Sequence, residues 1–165
     1  MNDAAVDDFL DVWGEMGASW GISRSVARVH GLLIVTTRHW TLDEISERLQ
    51  ISRSNVSTSL KELRSWRVIR KTRQAGDRKE YYTCEPDVWQ MLFSILRERK
   101  RREFDPVVQG VGAAAAAAGK SGGQLAGDRL RQMEHMLSTF DRLGERVLSS
   151  GERARALISF LEGKV

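Results

Sequence analysis

The chain has 165 residues, 41% hydrophobic and 29% charged, which excludes wholesale disorder and is enough for one core with a helical extension. Its net charge is +4, but residues 53–79 alone carry nine Lys or Arg against two acidic residues, net +7, so the remainder is net −3. Charge this localised points to a polyanionic partner rather than to a generally basic surface. One cysteine, Cys84, excludes an internal disulfide and argues against a four-ligand zinc site. No apolar run approaches the roughly 18 residues of a membrane span. The acidic start MNDAAVDDFLD lacks the basic and apolar regions of a signal peptide, so a cytoplasmic location is expected.

Residues 6–18 form the first predicted helix, with Val6, Phe9, Leu10, Trp13 and Met16 on its inner face and Gly17 and Gly21 bracketing its end. Ser23 is the expected cap of a second helix reaching about Thr37, with Val26, Val29, Leu33 and Ile34 inward. Thr41 and Glu44 make a capping box ahead of a short helix whose apolar face is Leu42, Ile45 and Leu49. After a turn at Gln50 and Ile51, Ser52 caps a helix with Val56, Leu60 and Leu63 at i, i+4 and i+7. Residues 68–73 and 80–84 are rich in β-branched and aromatic side chains, and the intervening QAGDRK supplies a turn, so a hairpin is expected.

Beyond Asp87 the chain turns helical again, with Val88, Met91, Leu92, Ile95 and Leu96 as a stripe and the charged RERKRRE as a continuation. Asp105 and Pro106 read as the cap and first residue of a new helix, because proline inside a helix loses a hydrogen bond. The run Ala113–Ala118 has high helix propensity, and GKSGG at 119–123 ends it as a loop. Leu130, Met133, Leu137 and Phe140 have the spacing of a seam that packs on another helix, either in a second copy or in a hairpin within the chain. A last short helix is expected over 153–162.

These elements predict a mainly α fold with a small β-hairpin wing, a winged helix-turn-helix. Residues 1–97 form the expected DNA-binding domain and 98–165 a helical dimerisation extension; the N-terminal helix also contributes to the dimer. In the helix that Ser52 caps, Val56, Leu60 and Leu63 take one side. Ser54, Thr58, Lys61 and Ser65 then lie opposite, flanked by Asn55, with Arg53 and Arg64 nearer the boundary. Small hydroxyls permit close entry into a major groove, and an asparagine amide matches adenine with a donor and an acceptor. The candidate DNA-binding residues are Arg53, Ser54, Asn55, Ser57, Thr58, Lys61 and Arg64 on this helix and Lys71, Arg73, Arg78 and Lys79 on the wing. Arg78 at the tip is the candidate for minor-groove insertion, with Asp77 to orient its guanidinium. Two other readings stand beside this one: a winged helix acting as a protein-interaction module, and a sequence-neutral DNA-binding protein.

The stretch TLDEISERLQISRSNVSTSLKELRSWRVIRKT followed by GDRKEYY resembles the GbsR branch of the MarR family of winged-helix transcriptional regulators. The resemblance extends upstream through SRSVARVHGLLIVTT and downstream to DVWQML, covering about residues 9–97. It implies a homodimer on a pseudo-palindromic operator, usually a repressor, with the terminal helices building the dimer. It further implies that the 53–65 helix reads the major groove and that Arg78 enters the minor groove. Some GbsR-like regulators are associated with choline or glycine betaine metabolism, so the resemblance implies a small cationic effector. Trp13, Trp20 and Trp40 are the candidates to bind it by cation–π attraction; the plainer reading of the five tryptophans is core or interface packing.

No cofactor and no enzymatic activity are expected. Gly119-Lys120-Ser121 lacks the strand and the first glycine of a phosphate-binding loop. His30, His39 and His135 have no metal-ligand spacing among themselves or with Cys84, so no metal is expected. Cys84 reads as a buried inert thiol, or alternatively as a thiol whose oxidation would disturb the wing.

Overall fold

The computed structural model describes residues 3–36, 38–118 and 124–149. The loop expected at 119–123 and the helix expected at 153–162 lie outside them. The chain forms two compact units, the first ending at Met91 and the second beginning at Leu92.

In the first unit, helices α1 (Asp3–Ser19) and α2 (Arg24–Val35) precede a two-residue strand, β1 (Trp40–Thr41). Helices α3 (Leu42–Leu49) and α4 (Arg53–Ser65) follow, then strands β2 (Ile69–Arg73) and β3 (Glu80–Cys84). The sheet is antiparallel in the order β1-β3-β2, with Trp40 opposite Tyr82 and Ile69 opposite Cys84. The hairpin expectation thus gains a third strand. A two-residue strand has no alternation to detect, and only the pairing with β3 reveals it.

Helix α2 is the centre of this unit. Val29 and Leu32 are fully buried, and Val26, Ala27, His30, Gly31 and Leu33 are buried with them. A helix enclosed on several sides has no single apolar stripe, which is why Leu32 is buried while Ile34, expected inward, is only half-buried. Ser23 stands at the N-cap of α2, but its hydroxyl makes no capping bond. Helix α1 reaches α2 through its glycines. Gly17 does not end α1 but lies buried within it, where an added Cβ would come within 2.4 Å of the Ala27 Cβ. The inner line of α1 is Val6, Leu10, Gly14 and Gly17, while Phe9, Trp13 and Met16 sit at its border.

The capping box forms as the sequence predicts. The Thr41 N–H donates to Glu44 Oε2 at 2.7 Å and the Glu44 N–H donates to Thr41 Oγ1 at 3.3 Å. These bonds, first that from the Thr41 backbone, hold the Glu44 carboxyl below its ordinary range. The helix-turn-helix corner closes without glycine: Gln50 takes the left-handed φ of 54°, and Ser46 Oγ donates to the Ile51 carbonyl at 2.7 Å.

Helix α5 (Val88–Arg99) begins in the first unit and runs into the second, and the helical run that it starts does not stop before Pro106. It passes through one wide π-type turn, Lys100–Phe104, straight into α6 (Asp105–Ala118). Asp105 is therefore not a cap: it is helical, and its N–H donates to the Lys100 carbonyl, five residues back. The wide turn lets the rod continue past a residue with no N–H to give. The Lys100 ammonium, only 14% exposed, lies 2.7 Å from Asp105, 2.7 Å from Asp141 and 2.8 Å from Glu145. Burial works against that charge, but the three carboxylates outweigh it and raise its pKa.

Helix α7 (Gln124–Leu148) packs on α6, and Arg97 donates to the Leu148 carbonyl at 2.9 Å, beside the buried pair Phe93 and Leu148. The seam expected from Leu130, Met133, Leu137 and Phe140 divides between two faces. Leu130 and Leu137 are half-buried, whereas Met133 is 47% and Phe140 60% exposed. Heptad spacing recurs on both faces of α7, so periodicity alone merges them. No described helix is long and apolar enough to cross a membrane.

The α1–α2 contact yields a test. Gly17→Ala should lower stability by about 1–3 kcal/mol through overpacking against Ala27. Gly110→Ala, whose added Cβ meets nothing within 4 Å, should be neutral or stabilise by up to about 1 kcal/mol. Urea unfolding of both variants reads the difference, and equal midpoints would refute the close-packing account.

Candidate nucleic-acid interface

Three side chains orient α4. Val56 and Leu63 are fully buried and Leu60 is 2% exposed, joined by Ser59 at 2%. With that face locked inward, Arg53, Ser54, Asn55, Ser57, Thr58, Lys61 and Arg64 are all exposed. The helix begins at Ser52, whose Oγ accepts from the Asn55 N–H at 3.3 Å and lies 3.0 Å from Ser54 Oγ. The Asn55 amide is not consumed by that bond, which uses its backbone. Arg53 pairs with Asp43 of α3. Lys61 and Arg64 make no ion pair among the described residues.

The wing is built around two acidic residues. The Asp77 N–H donates to the Gln74 carbonyl at 3.1 Å, and Gly76 supplies the positive φ of 82° that such a turn requires at its third position. Asp77 does not orient Arg78. Its two carboxylate oxygens instead accept from the Lys79 N–H at 2.9 Å and the Tyr81 hydroxyl at 2.7 Å. The first of these bonds, with the second, holds its carboxyl below the usual range. A short Asp side chain satisfies nearby donors before it can reach an outward guanidinium. Arg78 is left exposed at the tip with no ion pair among the described residues, and Lys79 is exposed beside it.

Glu80 takes both of the other candidates. It pairs with Lys71 and, at 3.3 Å, with Arg73, and it accepts from the Tyr82 hydroxyl at 3.1 Å. Lys71 above all, then Arg73 and Tyr82, hold the Glu80 carboxyl down to about 2 against the opposing effect of desolvation. Arg70, beyond these, pairs with Glu85 at 2.5 Å. The cations therefore fall into two groups: Lys71 and Arg73 are tied into the hairpin, while Lys61, Arg64 and Arg78 project from it and from α4.

Sequence reasoning missed two neighbours. His39 Nδ1 lies 3.4 Å from Thr72 Oγ1 on the wing, with its ring edge-on to Tyr81. Arg67, exposed and at a φ of 59°, turns the chain from α4 into the wing. Neither residue has a local signal, since both depend on how the sheet meets α4.

The candidate effector tryptophans have separate surroundings. Trp40 is buried, donates from Nε1 to Thr36 Oγ1 at 2.7 Å, and carries the Arg38 guanidinium 3.5 Å above its ring. Trp13 stacks on Phe9 at 5.4 Å and tilts against His30. Trp20 is 47% exposed just beyond α1.

A short helix, a tight corner, an outward polar helix and a basic hairpin define a winged-helix protein. Residues 20–80 match the MarR family model, so the chain contains a MarR family domain. It is similar to the HTH-type transcriptional repressor GbsR of Bacillus subtilis (strain 168), 31% identical over 114 residues, 69% of this chain and 63% of that protein. It is also similar to the putative HTH-type transcriptional regulator YvaV of the same organism, at 27% identity over 57% of this chain and 53% of that one. A third relative there is the HTH-type transcriptional repressor OpcR, at 26% identity over 56% and 50%. The chain thus spans between half and two thirds of these relatives' lengths. A solved structure, described as a crystal structure of a transcriptional regulator, shares the fold with a TM-score of 0.69 at 20% identity, covering 88% of this chain and 96% of that one.

The wing's electrostatics are open to titration. A carboxylate whose folded pKa is depressed contributes stability above its unfolded value near 4.5, lost as pH falls toward about 2. Carboxyl NMR should therefore put the Glu80 midpoint near 2, and Lys71→Met should move it back toward 4.5. A midpoint that ignores the substitution would refute the pairing.

Proposed function

We propose that this chain is a homodimeric regulator of transcription that binds double-stranded DNA at a pseudo-palindromic operator and acts as a repressor under small-molecule control. The observation that carries the reading is the exposed face of α4, with Arg53, Ser54, Asn55, Ser57, Thr58, Lys61 and Arg64 beside a wing tipped by Arg78 and Lys79. Asn55, Ser54, Thr58 and Lys61 are the base-reading set; Arg53, Ser57, Arg64, Lys71, Arg73 and Lys79 hold phosphates, and Arg78 enters the minor groove. Lys71 and Arg73 act from within the Glu80 cluster, so their charge is partly neutralised before any phosphate arrives. The names of two relatives, both repressors, support the direction of control.

The outer face of α7 supports the dimer. Met133, Met136, Phe140, Leu143 and Val147 recur at spacings of three and four and are all exposed in the single chain. A stripe this long and regular fits a second helix of the same kind. Two-fold symmetry then sets the recognition helices roughly 34–36 Å apart, one turn of duplex. A small cation such as choline or betaine is the proposed effector, and at Trp40 it would have to displace Arg38 from the ring.

Selection of duplexes from a random library at about 150 mM salt, where non-specific binding is weak, tests the reading. An inverted repeat with half-sites about 10 base pairs apart is the expected result. Binding without enrichment would identify a sequence-neutral DNA-binding protein, and no binding to any duplex would favour a protein-interaction module. On the selected site, Arg78→Ala should weaken binding by about 1–3 kcal/mol; unchanged affinity would remove Arg78 from the groove. Choline should alter tryptophan fluorescence and release the selected duplex, and no change up to millimolar choline would exclude that effector class.

A further inference from the structure

Three soft or borderline donors from three separate elements meet beneath the wing. Cys84 Sγ, at the end of β3, lies 3.8 Å from Nε2 of His30 in α2 and 3.7 Å from Sδ of Met91 in α5. His30 is 3% and Met91 5% exposed, while Cys84 is half-buried. We propose that Cys84, His30 and Met91 form a binding site for a soft monovalent cation, Cu(I), coordinated by thiolate, imidazole and thioether.

The geometry suits three-coordination. A metal at roughly 2.3 Å from sulfur and roughly 2.0 Å from nitrogen needs donors on the order of 3.7–4.0 Å apart in a trigonal arrangement. Both separations at Cys84, 3.8 Å and 3.7 Å, fall in that range. The donor set selects the ion: thioether and thiolate prefer soft metals, and no three of His, Cys, Asp and Glu converge among the described residues to hold a harder one. Charge selects it again. A univalent cation with one thiolate leaves the buried site neutral, whereas a divalent ion would strand a positive charge among apolar groups. Glu85, the nearest carboxylate in sequence, is already paired with Arg70.

Coordination through Nε2 requires the His30 tautomer that carries its proton on Nδ1. The Cys84 thiol donates weakly to the Val68 carbonyl at 3.5 Å. Binding therefore breaks the S–H bond, forms a metal–sulfur bond and releases one proton to solvent, with no change in oxidation state. Because β3 is the return strand of the wing, the site ties the wing's base to α2 and α5.

Anaerobic titration of the full chain with Cu(I), in competition with bicinchoninate, tests the proposal without any DNA. One equivalent should be withdrawn from the chelator, and X-ray absorption should report mixed sulfur and nitrogen ligands. Cys84→Ser should abolish this binding. Met91→Leu, which keeps the apolar volume, should weaken it by roughly tenfold or more, with circular dichroism confirming that the fold is retained. Failure of the wild-type chain to compete, or equal binding by both variants, would overturn the site whatever the outcome of the duplex selection.

Discussion

The burial of Val56, Leu60 and Leu63 along one side of α4 is the constraint on which the rest depends. Each is 2% exposed or less, so the helix has one rotation about its own axis that keeps all three from water. Burying three such side chains contributes several kcal/mol, on the order of 1.5–3 each. That sum exceeds what any polar residue on the opposite face gains by turning inward. The outward set from Arg53 to Arg64 is thus a consequence of the core, and the caps at Thr41 and Ser52 fix where α3 and α4 begin. A polar face held by packing is presented without the entropic cost of ordering it at the moment of contact.

The wing divides its charges between holding its own shape and facing outward. Glu80 and Asp77 both sit in a strongly basic hairpin, and each is consumed locally: Glu80 by Lys71, Arg73 and Tyr82, Asp77 by Lys79 and Tyr81. Exposed ion pairs of this kind contribute little to stability, with a median of about 0–1 kcal/mol. Their effect is to select which cations remain outward. Arg78 is left exposed at the tip, with no ion pair among the described residues.

The second unit solves a different problem with the same economy of groups. Proline in mid-helix removes a donor and crowds the carbonyl four residues back. The wide turn at Lys100–Phe104 absorbs that defect, and the carboxylates of Asp105, Asp141 and Glu145 converge on Lys100 within it. A lysine this enclosed is tolerated because its partners are charged and close; truncating it would leave three carboxylates facing one another.

The sequence by itself determined the local elements: the capping box at Thr41, the cap at Ser52, the apolar line of α4 and the glycine turn of the wing. Each of these is decided within about four residues by backbone hydrogen bonds and side-chain period, so a linear reading suffices. The MarR resemblance was legible for the same reason, because its motifs are contiguous. Tertiary structure decided what depends on partners far along the chain. It brought β1 onto β3, pressed Gly17 against Ala27, joined α5 to α6 through a wide turn ahead of Pro106 and split the α7 seam into two faces. It also set His30 beside Cys84, fifty-four residues away, where the sequence showed no metal-ligand spacing between them. Local rules choose the elements, but only packing chooses which of their faces meet.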